Sequence, residues 1–139
     1  MAFEGGCLCG KVRYEVQEEH GGGHCHCNDC RKTSGTGHGS HMIVPETAFT
    51  VTGEVRFFDK ACDRGCIVSR GFCPSCGSAI YSTNEAMVGM VFVRASSLDD
   101  PEHFKPQMIV YSDRAPSWDR IEGGLPSFAT MPPQEDMPV

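Results

Sequence analysis

Cys7-Leu8-Cys9-Gly10, answered more than sixty positions later by Cys73-Pro74-Ser75-Cys76-Gly77, is the pairing that decides the fold. Each half offers two thiols at the spacing of a metal knuckle, and four thiolates are the full ligand set of a tetrahedral structural zinc. Gly10 and Gly77 each follow the second thiol of their pair. There a tight turn calls for positive φ and lets backbone N–H groups approach sulfur. An ion held by Cys7, Cys9, Cys73 and Cys76 would tie the N-terminal strand to the strand that follows Phe72. The competing reading is that some of the four are buried free cysteines acting as small hydrophobes.

A second run, Cys25-His26-Cys27-Asn28-Asp29-Cys30, supplies three thiols. Three protein ligands with a fourth position open to water or substrate is the pattern of a catalytic zinc. Thiolates donate electron density, so such an ion suits holding and activating a substrate thiol better than generating hydroxide. Completion by His24, His38, His41, Cys62 or Cys66 would instead make a second closed site. His26, between two ligands, is expected to point away as a surface imidazole. His38 and His41 lie in a Gly-rich stretch and read as solvated loop residues, with proton transfer or ligation as the alternative. The spacing Cys62-Asp63-Arg64-Gly65-Cys66 reads as two incidental thiols, ahead of a reversible disulfide or a fourth ligand.

Around these motifs the pattern has period two. Lys11 to Val16 alternates polar with apolar, and further strands are expected at 41–44, 49–52, 55–58, 66–72, 78–82, 87–94 and 107–112. Turns are expected at Gly21-Gly22-Gly23, Thr52-Gly53-Glu54, Thr83-Asn84-Glu85 and Asp99-Asp100-Pro101. Helical periodicity is confined to a turn over 29–33 and another near 101–104. The chain therefore reads as mainly β, one zinc-binding domain over 1–130, with a Pro-rich tail at 131–139 expected to fray.

Composition narrows the function. The 139 residues carry a net charge of −6 and a pI near 5.4, with no basic block beyond Arg31-Lys32, which argues against nucleic acid as partner. No apolar run approaches membrane-spanning length, and the first residues lack the basic and apolar parts of a signal peptide. The expected setting is cytoplasmic, where nine cysteines serve as ligands or reactive thiols rather than a disulfide framework.

Gly6-Cys7-Leu8-Cys9-Gly10-Lys11-Val12-Arg13-Tyr14, His26-Cys27-Asn28-Asp29-Cys30-Arg31-Lys32, Gly71-Phe72-Cys73-Pro74-Ser75-Cys76-Gly77-Ser78 and the stretch Tyr111 to Trp118 together resemble the glutathione-dependent formaldehyde-activating enzyme family. The resemblance runs from about Gly5 to Trp118. It implies an Mss4-like fold of folded β-sheets, a structural zinc on Cys7, Cys9, Cys73 and Cys76, and a catalytic zinc on Cys25, Cys27 and Cys30. It also implies a carbon–sulfur lyase activity, the reversible joining of glutathione and formaldehyde into S-hydroxymethylglutathione. Glutathione has two carboxylates, so Arg31, Lys32 and Arg114 are the cations expected along its groove. Cys62, Cys66 and the His-bearing loop after Ser34 depart from the family pattern. Two other classes compete: a non-catalytic zinc-stabilised module that binds a protein partner, favoured by a filled fourth coordination position, and an iron–sulfur or thiol-switch protein.

Overall fold

The structure is a computed structural model and describes residues 2–133. In chain order its strands are β1 (Phe3–Gly6), β2 (Arg13–Val16), β3 (Gly22–Cys25), β4 (Gly39–Pro45) and β5 (Phe49–Thr52). There follow β6 (Arg56–Ala61), β7 (Ile67–Phe72), β8 (Ala79–Asn84), β9 (Met90–Arg94) and β10 (Met108–Val110). One helix longer than a single turn, α1 (Asn28–Ser34), sits between β3 and β4. Three strands make an antiparallel sheet in the order β1-β2-β5, and seven make the other, β10-β3-β4-β9-β8-β7-β6. Among the strands of the described residues the β10–β3 pair alone is parallel, and an isolated bridge from Ile109 to Ser127 is parallel as well. The mainly β, Mss4-like architecture expected from the sequence is therefore what the chain forms.

Alternation in β2 does what it promised: Tyr14 and Val16 are buried and Glu15 is exposed. These join Phe3, Val12, Met42, Val44, Ile80 and Val93 in one core. The core holds one built-in polar chain. Tyr14 Oη lies 2.6 Å from Ser97 Oγ, which donates in turn to the Arg94 carbonyl at 2.7 Å. Burial pushes the Tyr14 phenol up to about 12, the Ser97 bond pulling the other way.

Tyr14→Phe should therefore cost about 1–1.5 kcal/mol at neutral pH, the net worth of one buried hydrogen bond. A phenol whose native value is raised stabilises the fold fully below its unfolded value near ~10 and loses that contribution as pH climbs toward 12. The stability gap between wild type and Tyr14→Phe, read by urea unfolding, should accordingly shrink over that interval. A gap that stays constant would contradict the burial argument.

Two strands were not expected. β1 lies under the Gly-rich start, and β3 runs through Gly22 and Gly23, which read as a turn. The glycines serve close approach there: a Cβ on Gly22 would collide with the His41 carbonyl, and one on Gly23 with that of Met108. The turn expected at 83–85 begins later, because β8 continues through Asn84. Of the tail expected to fray, only 131–133 fall within the described residues, and there Met131 lines a cavity; the remainder lies outside them. No helix among the described residues is long and apolar enough to cross a membrane.

Candidate metal centres and their cavity

The first cluster forms where the β1–β2 and β7–β8 turns meet. Cys7, Cys9, Cys73 and Cys76 bring their sulfurs within 4.8 Å of one another. The Cys7–Cys9 and Cys9–Cys73 separations are 3.5 and 3.8 Å. Thiolates ~2.3 Å from a tetrahedral ion stand ~3.8 Å apart, so the donor set fits zinc. Gly10 and Gly77 adopt φ of 83° and 78°, the left-handed conformation expected for knuckle turns. The Val12 N–H donates to Cys7 Sγ at 3.2 Å. Burial works to raise Cys7, but this bond and neighbouring thiols hold it below the ordinary thiol value. Cys76 is held near about 5, chiefly by Ser78.

The second cluster is built by β3 and α1. Cys25 ends β3, flanked by Val110 on β10 and Gly39 on β4. Cys27 is the N-cap of α1, its sulfur accepting from the Cys30 N–H at 3.2 Å, and Cys30 lies one turn on. The helix ends at Gly35 with φ of 83°. Buried Arg94 of β9 holds that end, donating to Thr33 Oγ1 at 2.8 Å and, at 3.4 Å, to the Thr33 carbonyl. The three sulfurs lie within 4.8 Å of one another, and among the described residues no fourth Cys, His, Asp or Glu donor lies that close to all of them. Cys27 is the sulfur that carries charge most readily. Hydrogen bonds from Cys25 and Cys30, helped by the Cys30 and Asp29 N–H groups, lower it to about 2. The same exchange of bonds pushes Cys25 up. An all-thiol set with N–H donors at its anionic member fits zinc as well.

His41 stands beside this cluster. Its Nε2 is 3.5 Å from Cys30 Sγ, and its Nδ1 is buried without a partner. Burial, then the charges of Arg94 and Arg70, lower it to about 3, so the ring is neutral. Gly39 makes this approach possible, since a Cβ there would come within 2.8 Å of His41 Nε2 and 3.3 Å of Cys30 Cβ.

Cys25, Cys27 and Cys30 line a cavity of about 300 Å³. Apolar Ile43, Val68, Phe92, Met108 and Val110 supply part of its wall, and Lys60, Arg64, Arg70 and Arg114 supply positive charge. Lys60 is paired with Asp29 at 3.0 Å and Arg114 with Asp63 at 3.0 Å. Arg64 and Arg70 have no ion pair among the described residues. Tyr111 also lines the cavity, with a left-handed φ of 55°, and the Arg114 guanidinium lies 5.1 Å from its ring centre.

Of the cations expected along a groove, Arg114 reaches the cavity, whereas Arg31 and Lys32 on α1 do not line it. Sequence reasoning missed Arg64 and Arg70, which sit on the β6–β7 turn and on β7, both far along the chain from Cys25, Cys27 and Cys30. His26 is not a surface imidazole. It is buried, its Nδ1 donating to the Gly37 carbonyl at 3.0 Å, because the segment carrying Asp119 packs over that face. His38 is held by Asp119 Oδ2 at 2.7 Å and does not line the cavity. His41 is a strand residue rather than a loop one. Cys62 and Cys66 are not incidental thiols: they are joined in a disulfide.

The class these features define is a mainly β protein with two cysteine clusters that could hold metal, one of four sulfurs between its turns and one of three sulfurs facing a cavity. The chain matches, over residues 2–114, the family model described as glutathione-dependent formaldehyde-activating enzyme, and it belongs to that family. A solved structure of a Rhodobacter sphaeroides protein is similar in fold, with a TM-score of 0.55 at 18% identity over 72% of this chain and 93% of that one. A search of curated proteins gives no match.

Proposed function

We propose that this chain joins glutathione, or a close thiol analogue, to formaldehyde and reverses the reaction, acting as a carbon–sulfur lyase on S-hydroxymethylglutathione. The observation that carries the reading is three converging sulfurs, with no fourth donor close to all of them among the described residues, facing a cation-walled cavity large enough for a small peptide thiol. We assign one zinc to Cys7, Cys9, Cys73 and Cys76 for the fold, and one to Cys25, Cys27 and Cys30 for the chemistry. A zinc bound at the latter supplies a place where a substrate sulfur is held as thiolate.

The remaining work falls to the chain itself. Arg64 and Arg70, without acidic partners among the described residues, bind the substrate carboxylates. The acids Asp63 and Asp29 stand near for its ammonium group. Apolar Ile43, Val68 and Phe92 limit water around the reacting sulfur, which strengthens those ion pairs. His41 steadies Cys30 through the contact of its Nε2 with the Cys30 sulfur. The carbon–sulfur bond forms as the sulfur lone pair adds to the carbonyl carbon and the oxygen takes up a proton; cleavage runs the same steps backwards. A reducing, cytosolic setting, in which the cluster thiols stay free, belongs to the same reading.

The test is the loss of free thiol, or the appearance of the adduct, from glutathione and formaldehyde with and without the zinc-loaded protein. An accelerated approach to equilibrium is expected, and a rate equal to the uncatalysed one would overturn the assignment. Arg70→Met, which keeps the apolar stem and removes the charge, should raise KM for glutathione about 10- to 100-fold with little change in kcat, the worth of one charge-assisted contact. An unchanged KM would remove Arg70 from the substrate site.

A further inference from the structure

The disulfide between Cys62 and Cys66 has no part in that chemistry, yet it faces the same cavity as the three free sulfurs. It closes the turn between β6 and β7, with Cα atoms 5.3 Å apart, the Cys62 N–H donating to the Cys66 carbonyl at 2.6 Å and Gly65 N–H to the Cys62 carbonyl at 2.9 Å. Closing so short a loop removes little entropy from the unfolded chain, and the hairpin is already held by a six-pair β6–β7 register. A structural role therefore explains it poorly. Both cysteines are only half-buried. Cationic Arg64 lies within the loop, and Arg114 reaches the loop through Asp63. Positive charge beside a disulfide favours the thiolate that must leave when the bond is attacked.

We propose that Cys62–Cys66 is a thiol–disulfide exchange site for the thiol that the cavity binds. The inference rests on the reading that this cavity takes a glutathione-type thiol. A bound thiolate attacks one of the two sulfurs; the Cys62–Cys66 bond breaks, a mixed disulfide forms, and the other cysteine leaves as a thiolate that takes up a proton. A second thiolate then attacks the substrate-derived sulfur of the mixed disulfide, releasing the small-molecule disulfide and the second cysteine. Two thiols are oxidised to one disulfide, and the protein pair gains the two electrons. Glutathione disulfide drives the same steps in reverse, so the pair follows the thiol-to-disulfide ratio in the cavity without any further reactant.

The experiment mixes the zinc-loaded wild-type protein with reduced glutathione or with uncharged 2-mercaptoethanol at equal thiolate concentration. Samples are quenched in acid, alkylated, and mapped at Cys62 and Cys66 by peptide mass spectrometry. Reduction by glutathione should saturate and run at least about tenfold faster than by 2-mercaptoethanol, the advantage of reacting from a bound state. S-methylglutathione, which cannot exchange, should slow it to the 2-mercaptoethanol rate, and Cys66→Ser treated with glutathione disulfide should take up one glutathionyl group at Cys62. Equal, unsaturable rates for the two thiols would overturn the proposal, as would a reduced pair that glutathione disulfide fails to re-form. Calorimetry with S-methylglutathione separates the two readings. Binding without any effect on exchange defeats this inference alone, whereas no binding by either S-methylglutathione or glutathione itself defeats the cavity assignment beneath it.

Discussion

Cys27→Ser is expected to lower turnover by about 1000-fold or more while the protein remains folded, with far-ultraviolet dichroism unchanged and Tm within a few degrees of wild type. The loss follows from chemistry: a neutral hydroxyl replaces a sulfur of the second cluster whose neighbours favour its thiolate form, and zinc prefers the softer anionic donor. The survival of the fold follows from position. Cys27 is the N-cap of α1, accepting from the Cys30 N–H, and serine is among the best residues for that task. Helix and cluster thus come apart in a single substitution. Turnover within about tenfold of wild type would remove Cys27 from the chemistry.

Cys73→Ser should do the reverse and leave no folded protein to assay. Cys73 is 1% exposed, at the head of the turn between β7 and β8, and packs with Val12 and Ile80 in the core as well as facing Cys9 Sγ at 3.8 Å. A structural zinc contributes on the order of 10 kcal/mol to a small fold, comparable with the whole ~5–15 kcal/mol by which domains are stable. Removing one of its ligands while burying a hydroxyl in its place should cost more than about 5 kcal/mol, read as insoluble expression or a Tm lowered by more than about 20 °C. A soluble Cys73→Ser protein melting near the wild-type temperature would mean that the first cluster is not what ties the two turns together.

The clustering of these cysteines was legible in the sequence because ligand spacing is local. A CxCG and a CxxCG state their turns outright, and Gly10 and Gly77 take the left-handed backbone that those turns require. Strands were equally local where one face is buried: Phe49–Thr52 is found as expected, and β2, β4 and β7 differ from expectation only at their ends. β3 was hidden because its glycines look like a turn until His41 and Met108 are seen pressed against them. The cavity wall was less legible still. Arg31 and Lys32 adjoin the knuckle in sequence, but α1 carries them clear of the cavity. Arg70 is 40 positions from Cys30 and reaches the wall only because β7 lies across the sheet from β4. His26 was misjudged for a similar reason, since the Asp119 segment that covers it lies far along the chain.

The most direct test of one closed and one open sulfur cluster is zinc per chain by elemental mass spectrometry, on protein purified without chelator, before and after a mild chelator wash. Two zincs falling to one, with the fold intact and the second restored by added zinc, is the predicted result. Two zincs that both resist the wash would contradict it, because a site open to a substrate thiol is also open to a chelator.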